Sequence, residues 1–316
     1  MPLAFMTAMF LALTRTHAHI MKPSLTRLPL NGGKLWMPNF PLCVIMMFFR
    51  LVPRPERCRT LKAGWVYKLK LKSDLSIDKY KARFVAKGYA QRPGVDFHST
   101  SAPVLSLVAA RLILAIAARY NWAIRQTDVV TAFLKSPISE TIYLEQSEGY
   151  VDPQNPDHVW LLLRNLYGLK QGAFSWNETL HQYLIERGFI VISADPCIYI
   201  RPREGVVSDT PYSVSDLLDK SCDWKVVILT VFVDDMTITG NDENLRTQEE
   251  LAINKRFGTT GWSEAHFFLG IHISRTEKGI LLDQSHYAHQ VLERFGMIES
   301  NPVSTPLDSK STLSPT

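Results

Sequence analysis

Apolar and polar residues alternate cleanly from Trp65 to Lys72. Tyr67, Leu69 and Leu71 fall on one face, and Lys68, Lys70 and Lys72 on the other. A period of two is the mark of a strand with one exposed face. SDLSID follows as a turn, and Tyr80 to Ala86 returns as a second strand. The period then changes: Leu107, Arg111, Leu112, Leu114, Ala115 and Ala118 recur at helical spacing within Leu105 to Tyr120. That predicts a helix packed beneath a sheet. Trp122, Ile124 and Gln126 alternate with more polar neighbours, as in a strand ending at Asp128. Ile138 to Asn165 is irregular and Pro-rich in the middle, with short strands at Ile142 to Glu145 and Val159 to Leu163.

Phe174, Leu180, Tyr183 and Leu184 define one helix face, closed by Gly188. The polar stretch Arg203 to Asp223 reads as a surface-loop insertion. VVILTVFVDDMTITG, Val226 to Gly240, then places β-branched residues on both sides of an aspartate pair. It predicts two short buried strands joined by a tight turn. His266 to Arg275 and Ile280 to Asp283 predict a hairpin through a TEKG turn. Ser285 is placed to N-cap a helix running to Phe295, with Gly296 ending it.

Composition narrows the class only a little. At 316 residues with 46% apolar content, the chain can build a sizeable core and more than one subdomain. A net charge of +5 and a pI near 8.9 are compatible with nucleic acid without demanding it. Cys43, Cys58, Cys197 and Cys222 show no CxxC spacing, so they read as reduced thiols of an intracellular protein. His17 and His19 lack a Cys or carboxylate at ligand spacing and read as an exposed pair. Pro2 to Leu13 is apolar but lacks the basic n-region of a signal peptide. Pro41 to Phe49 is too short to span a bilayer. The chain is therefore expected to be intracellular, cytoplasmic and not secreted, with no membrane partner. Nothing in the sequence points to a protein partner.

Candidate chemistry centres on Asp234 and Asp235. Two carboxylates at a buried turn repel each other and resist desolvation. A divalent cation turns that repulsion into a binding site. A solvated turn accounts for an isolated Asp-Asp equally well. What precedes the pair shifts the balance. Asp128 ends a strand, and LYGLKQ, Leu166 to Gln171, puts a Gly and a Lys just before a helix-like segment. A carboxylate on a strand, a Gly/Lys loop and a carboxylate pair on a hairpin is the layout of a two-metal nucleotidyl-transfer palm. Two Mg²⁺ ions, typically about 3.5–4 Å apart, activate a 3′-hydroxyl and stabilise the leaving pyrophosphate in such a site. In the hairpin that precedes it, Lys79, Lys81, Arg83 and Lys87 make a dense basic surface. Arg83 stands out there because a guanidinium fork can bind phosphate bidentately.

The motifs together resemble the reverse transcriptase region of copia-type LTR retrotransposon polyproteins. They are WVYKLKLK (Trp65 to Lys72), YKARFVAKGYAQ (Tyr80 to Gln91), TDVVTAFL (Thr127 to Leu134), LYGLKQ, FVDD, HFFLGIHISR (His266 to Arg275) and PVSTP (Pro302 to Pro306). They occur in family order over roughly Leu51 to Leu307. The resemblance implies an α+β fold with the palm and fingers of a right-hand polymerase and an incomplete thumb. It divides the chain into fingers (51–103), palm (104–137), fingers again (138–165), palm with a primer-grip hairpin (166–283) and the start of a thumb (284–316). Residues 1–50 do not match and are expected to be disordered or a wrongly read start.

The resemblance also implies RNA-directed DNA polymerase activity, with two Mg²⁺ ions (Mn²⁺ an alternative) held by Asp128, Asp234 and Asp235. Its implied partners are a primer–template and deoxynucleoside triphosphates, and its setting is a cytoplasmic particle. Arg83 and Lys81 take the triphosphate, and Phe133 lies under the sugar and excludes a 2′-hydroxyl. Tyr167, Gly168, Lys170 and Gln171 shape the nucleotide pocket. Phe268, Leu269 and Gly270 grip the primer terminus. Ala173 and Phe174 depart from the family, which has Pro and Arg there. The alternative is a remnant that binds nucleic acid and polymerises weakly or not at all. An unrelated metal-dependent phosphohydrolase needs the carboxylates but neither LYGLKQ nor the basic hairpin.

Overall fold

The computed structural model describes residues 48–71, 77–147, 151–202 and 225–303. Most of the SDLSID turn, the 203–223 loop, the end of PVSTP from Ser304, and residues 1–47 lie outside the described residues. So do His17, His19, Cys43 and Cys222.

The described chain opens on β1 (Phe49–Val52) and β2 (Thr60–Leu61), then the long hairpin of β3 (Ala63–Leu71) and β4 (Ile77–Ala86). Helix α1 (Leu107–Arg119) leads into β5 (Arg125–Asp128). β6 (Tyr143–Glu145) and β7 (Val159–Leu162) precede α2 (Gly172–Glu186), β8 (Ile190–Ile192) and β9 (Asp195–Pro202). β10 (Val226–Phe232), β11 (Asp235–Gly240) and α3 (Glu243–Phe257) follow. Last come β12 (Ser263–Glu264), β13 (Phe267–Phe268), β14 (Ile271–Thr276), β15 (Gly279–Asp283) and α4 (Ser285–Arg294). The fold is α+β. Among the described residues no helix is long and apolar enough to cross a membrane.

The central sheet runs β12-β5-β11-β10-β9-β8, with antiparallel neighbours throughout. β10 is buried on both faces from Val226 to Val231, which is why it reads as an unbroken apolar run. Strand alternation sends Val226 and Ile228 to one side, where they join Ile113 and Leu114 of α1. Val227, Leu229 and Val231 face the other side and meet Trp176, Leu180 and Leu184 of α2 and Ile253 and Phe257 of α3. A second sheet, β1-β7-β6-β2, carries its own apolar cluster around Phe49, Leu144 and Trp160. β13-β14-β15 form a small third sheet, and β3-β4 a two-stranded ribbon.

Three local expectations change. In α1 the buried face is Ala110, Ile113, Leu114, Ile116 and Ala117, while Leu107 and Leu112 are exposed. This helix is apolar on nearly every side, so the period alone leaves its rotation open and the sheet selects it. In α2 the buried stripe is Trp176, Leu180 and Leu184, spaced by four, and Phe174 stays only half-buried. The helix does end at Gly188 (φ 85°). Gly188 N–H donates to the Ile185 carbonyl and Phe189 N–H to the Leu184 carbonyl, a Schellman pair. In α4, Ser285 is the first helical residue rather than the cap: Gln284 takes the cap position without a side-chain bond. The Ser285 N–H is instead held by Asp283 Oδ1 at 3.0 Å.

Candidate active site

The β10–β11 ladder closes at Phe232 opposite Asp235, leaving Val233 and Asp234 as a two-residue turn. Val233 sits at φ 59°. A hairpin turn with its first central residue at positive φ favours glycine there. A β-branched residue in that region is an outlier and costs on the order of 1–3 kcal/mol. Both turn carbonyls are held from outside the hairpin. The Trp176 indole Nε1 donates to the Val233 carbonyl at 2.7 Å. The Val129 N–H donates to the Asp234 carbonyl at 2.9 Å.

β5 lies alongside β11 in a register that puts Asp128 directly opposite Asp235. Directly opposed residues share a face, with Cβ atoms about 4.5–5.5 Å apart. Thr260 pins Asp128 from the far side: its N–H donates to the Asp128 carbonyl at 2.9 Å, and its Oγ1 accepts from the Asp128 N–H at 3.2 Å. Asp128 and Asp235 open onto a small cavity of about 100 Å³ that Thr260, Phe267 and Phe268 also line. Loss of water beside the cleft walls, and then the charge of Asp234, push the Asp235 carboxyl above its ordinary value.

Among the described residues no three His, Cys, Asp or Glu side chains converge tightly enough to hold a metal ion. The donor chemistry nonetheless suits Mg²⁺, which takes one or two carboxylates and completes its shell with substrate phosphates and water.

Tyr167 ties this edge to the β3–β4 hairpin. The Arg83 guanidinium lies 5.5 Å from its ring centroid, and the Phe133 ring 5.2 Å away. Burial raises the Tyr167 phenol first; the charges of Asp234 and Asp128 raise it further, and Arg83 opposes them. Arg83, Phe133, Tyr167 and the aspartates therefore form one cluster. Gly168 explains its own presence, because a Cβ there would run into the Ala86 carbonyl, and its φ is 89°. Gly88 crosses it just as closely, and Ala86 N–H donates to the Tyr167 carbonyl at 2.8 Å.

The other expected nucleotide residues sit elsewhere around this crossing. Gln171 is 1% exposed. Its amide donates to the Asp96 carbonyl (3.0 Å) and Glu140 Oε2 (3.2 Å) and accepts from Gln91 (2.9 Å). It braces the pocket from behind. Lys170 is exposed, with its backbone N–H on Gln91 Oε1 and its ammonium 4.8 Å from the Phe97 ring centroid. Lys81 stands opposite Lys68 in the hairpin register.

In the β13–β14 turn, Leu269 (φ 53°) and Gly270 (φ 76°) occupy the two central positions between paired Phe268 and Ile271. Phe268 is buried, whereas Phe267 is 49% exposed on the carboxylate cavity. Sequence reasoning missed Phe267, Trp176, Gln91 and Thr260. A signal existed for two of them. Phe267 must face opposite to a buried Phe268, and Trp176 completes the i, i+4, i+8 stripe of α2.

The model of the family described as reverse transcriptase (RNA-dependent DNA polymerase) matches residues 46–225 and 207–309. The Pol polyprotein of transposon RE2 from Arabidopsis thaliana is 35% identical over 83% of this chain, which covers 17% of that protein. The Pol polyprotein of transposon TNT 1-94 from Nicotiana tabacum is 34% identical over 84% of this chain, which covers 19% of it. A solved Candida albicans telomerase aligns over 82% of this chain and 54% of its own, at 10% identity and TM-score 0.36, too slight a likeness to argue from. The chain thus spans less than a fifth of the length of these curated relatives. Motif order, the matched family model and relatives of this kind agree: the chain belongs to the reverse transcriptase family and is similar to the reverse transcriptase region of copia-type retrotransposon Pol polyproteins.

Proposed function

We propose that this chain extends a primer with deoxynucleotides on an RNA template, with Asp128, Asp234 and Asp235 as its acidic centre. The observation that carries this reading is the β5–β11 register, which sets Asp128 opposite Asp235 and next to the turn that bears Asp234. Like charges directly opposed destabilise a sheet. An arrangement that keeps them fits a cationic ligand better than a structural role. Mg²⁺ or Mn²⁺ held there would supply a lowered pKa at the primer 3′-hydroxyl and charge neutralisation at the leaving pyrophosphate.

The chain's own residues do the positioning. Asp128 and Asp234 would hold the ions, with Asp235 in support. Arg83, over Tyr167, faces the triphosphate, and Lys81 adds charge. Phe133, packed on Tyr167 and on the first turn of α2, forms a floor under the sugar that leaves no room for a 2′-hydroxyl. Phe268, Leu269 and Gly270 set the primer end against the cavity that Phe267 completes. The 3′-hydroxyl gives up its proton to solvent as its oxygen bonds to the α-phosphorus, while the bond from that phosphorus to the pyrophosphate oxygen breaks and pyrophosphate leaves.

Primer extension with purified protein tests this reading. Asp128→Asn and Asp234→Asn should each abolish extension and leave the melting transition cooperative. A parental rate in either variant removes that carboxylate from the mechanism. If the unaltered chain retains primer–template without extending it, the nucleic-acid-binding alternative holds instead.

A further inference from the structure

Trp176 has no place in the chemistry above, yet it makes the one polar contact from α2 to the aspartate turn that the described hydrogen bonds record. It is 1% exposed, its ring stands edge-on to Phe257 at 5.2 Å, and its Nε1 donates to the Val233 carbonyl at 2.7 Å. That carbonyl belongs to the peptide that carries Asp234. The peptide is reached through a left-handed valine, the conformation a β-branched residue least tolerates. Left alone, the turn would relax toward a more ordinary conformation and shift Asp234 from its present place. A buried tryptophan also finds a partner for its N–H almost obligatorily. The bond is therefore costly to break from either end.

We infer that Trp176 is a positioning residue: its indole N–H holds the strained Val233–Asp234 peptide so that Asp234 keeps its place in the turn beside Asp235. The inference rests on the assignment of Asp234 to the acidic centre. It adds a cause for that geometry which lies on a helix outside the sheet. α2 follows directly on LYGLKQ, so the segment that shapes the nucleotide pocket and the segment that sets the aspartate turn are one rigid unit. Arg83, Tyr167 and Asp234 are thereby placed by a common support.

The test compares Trp176→Phe, which keeps an aromatic ring against Phe257 but has no N–H, with the parent. A second variant carries benzothienylalanine at 176, where sulfur replaces the indole N–H at nearly constant shape; it covers the case in which Phe does not fold. Amide hydrogen exchange is read across Val226–Gly240 without metal or substrate, alongside primer extension. Exchange at Val233–Asp235 should rise by about tenfold or more, the size expected when a buried hydrogen bond is lost. Exchange elsewhere in β10 and β11 should hold. Extension should lose kcat by a similar factor while KM for the deoxynucleotide stays within about twofold. Unchanged exchange at the turn overturns the clamp. A uniform rise along both strands overturns it too, because it marks a packing role only. Faster turn exchange with parental kcat shows a clamp that positions nothing, which also sinks the inference. Failure of Asp234 as a catalytic residue is seen separately, as parental extension by Asp234→Asn.

Discussion

Asp235 holds an uncomfortable charge in the cleft. It faces Asp128 across the ladder, neighbours Asp234, and has a carboxyl pushed upward by lost hydration and by that neighbour. The folded state thus binds this proton more tightly than the unfolded chain does. By linkage, its ionised form costs stability above the folded pKa, and that cost disappears as pH falls below the ordinary carboxylate value of about 3.9. Asp235→Asn should therefore melt higher than the parent at neutral pH in the presence of a chelator. The difference should close as the pH is lowered toward 3.5. Added Mg²⁺ should raise the parent's Tm more than the variant's, because a ligand of the folded state stabilises only where it binds. Thermal melts over a pH series with and without Mg²⁺ check both arms. A variant no more stable than the parent at neutral pH would mean that the cleft already relieves this charge without a cation.

At the scale of elements, the informative surprise is β1. The first fifty residues carry no period and no targeting pattern, yet Phe49 is buried, pairs with Leu162, and packs its ring 5.4 Å from Trp160 and 5.9 Å from Phe84. Deleting residues 1–50 removes that ring and half of β1. The loss should be about 3 kcal/mol, or roughly 4–5 °C in Tm for a chain of this size. Deletion of residues 1–46 should cost far less, and equal melting of the two truncated chains would show that Phe49 contributes nothing to the fold. Sequence carried the hairpins well, because their period of two and their turn residues are local signals. It passed over α3 for an equally physical reason. The buried face of α3 includes Arg246, Glu249 and Glu250 among its apolar residues. Glu249, with no exposure, is neutralised by Arg187 at 2.7 Å and by Arg201, while Arg125 and Arg246 lie 3.6 and 3.4 Å from Glu250. Arg246 is only one helical turn from Glu250, but Arg125, Arg187 and Arg201 come from far along the chain and leave no periodic trace. The aspartates were legible because carboxylates in a β-branched run contradict their surroundings. The Trp176 clamp was not, since a hydrogen bond from a buried indole to a turn carbonyl is written in tertiary structure alone.

For the whole molecule, a net charge of +5 is too small to attract a polyanion from every side, so the distribution of charge decides. The β3–β4 register sets Lys68 opposite Lys81 and Lys70 opposite Lys79, with Arg83 opposite Val66 two rungs from the first pair. Like charges facing each other across an antiparallel ladder weaken it. Phosphates laid along the ribbon remove that penalty and add attraction, so binding of nucleic acid and order in the hairpin should rise together. Each lysine that neutralises a phosphate releases about one condensed counterion. Primer–template affinity should therefore fall linearly on a log–log plot against salt. Lys68→Gln combined with Lys81→Gln should make the slope shallower by about one to two units. The same pair of changes should stabilise the free protein, because it removes a repulsive rung. Equilibrium titrations between low and physiological salt, paired with thermal melts of the unbound chain, read both effects. A weaker complex with an unchanged slope would place the phosphate contacts on another face of the molecule, and an unstabilised free protein would show that the opposed lysines do not strain the hairpin.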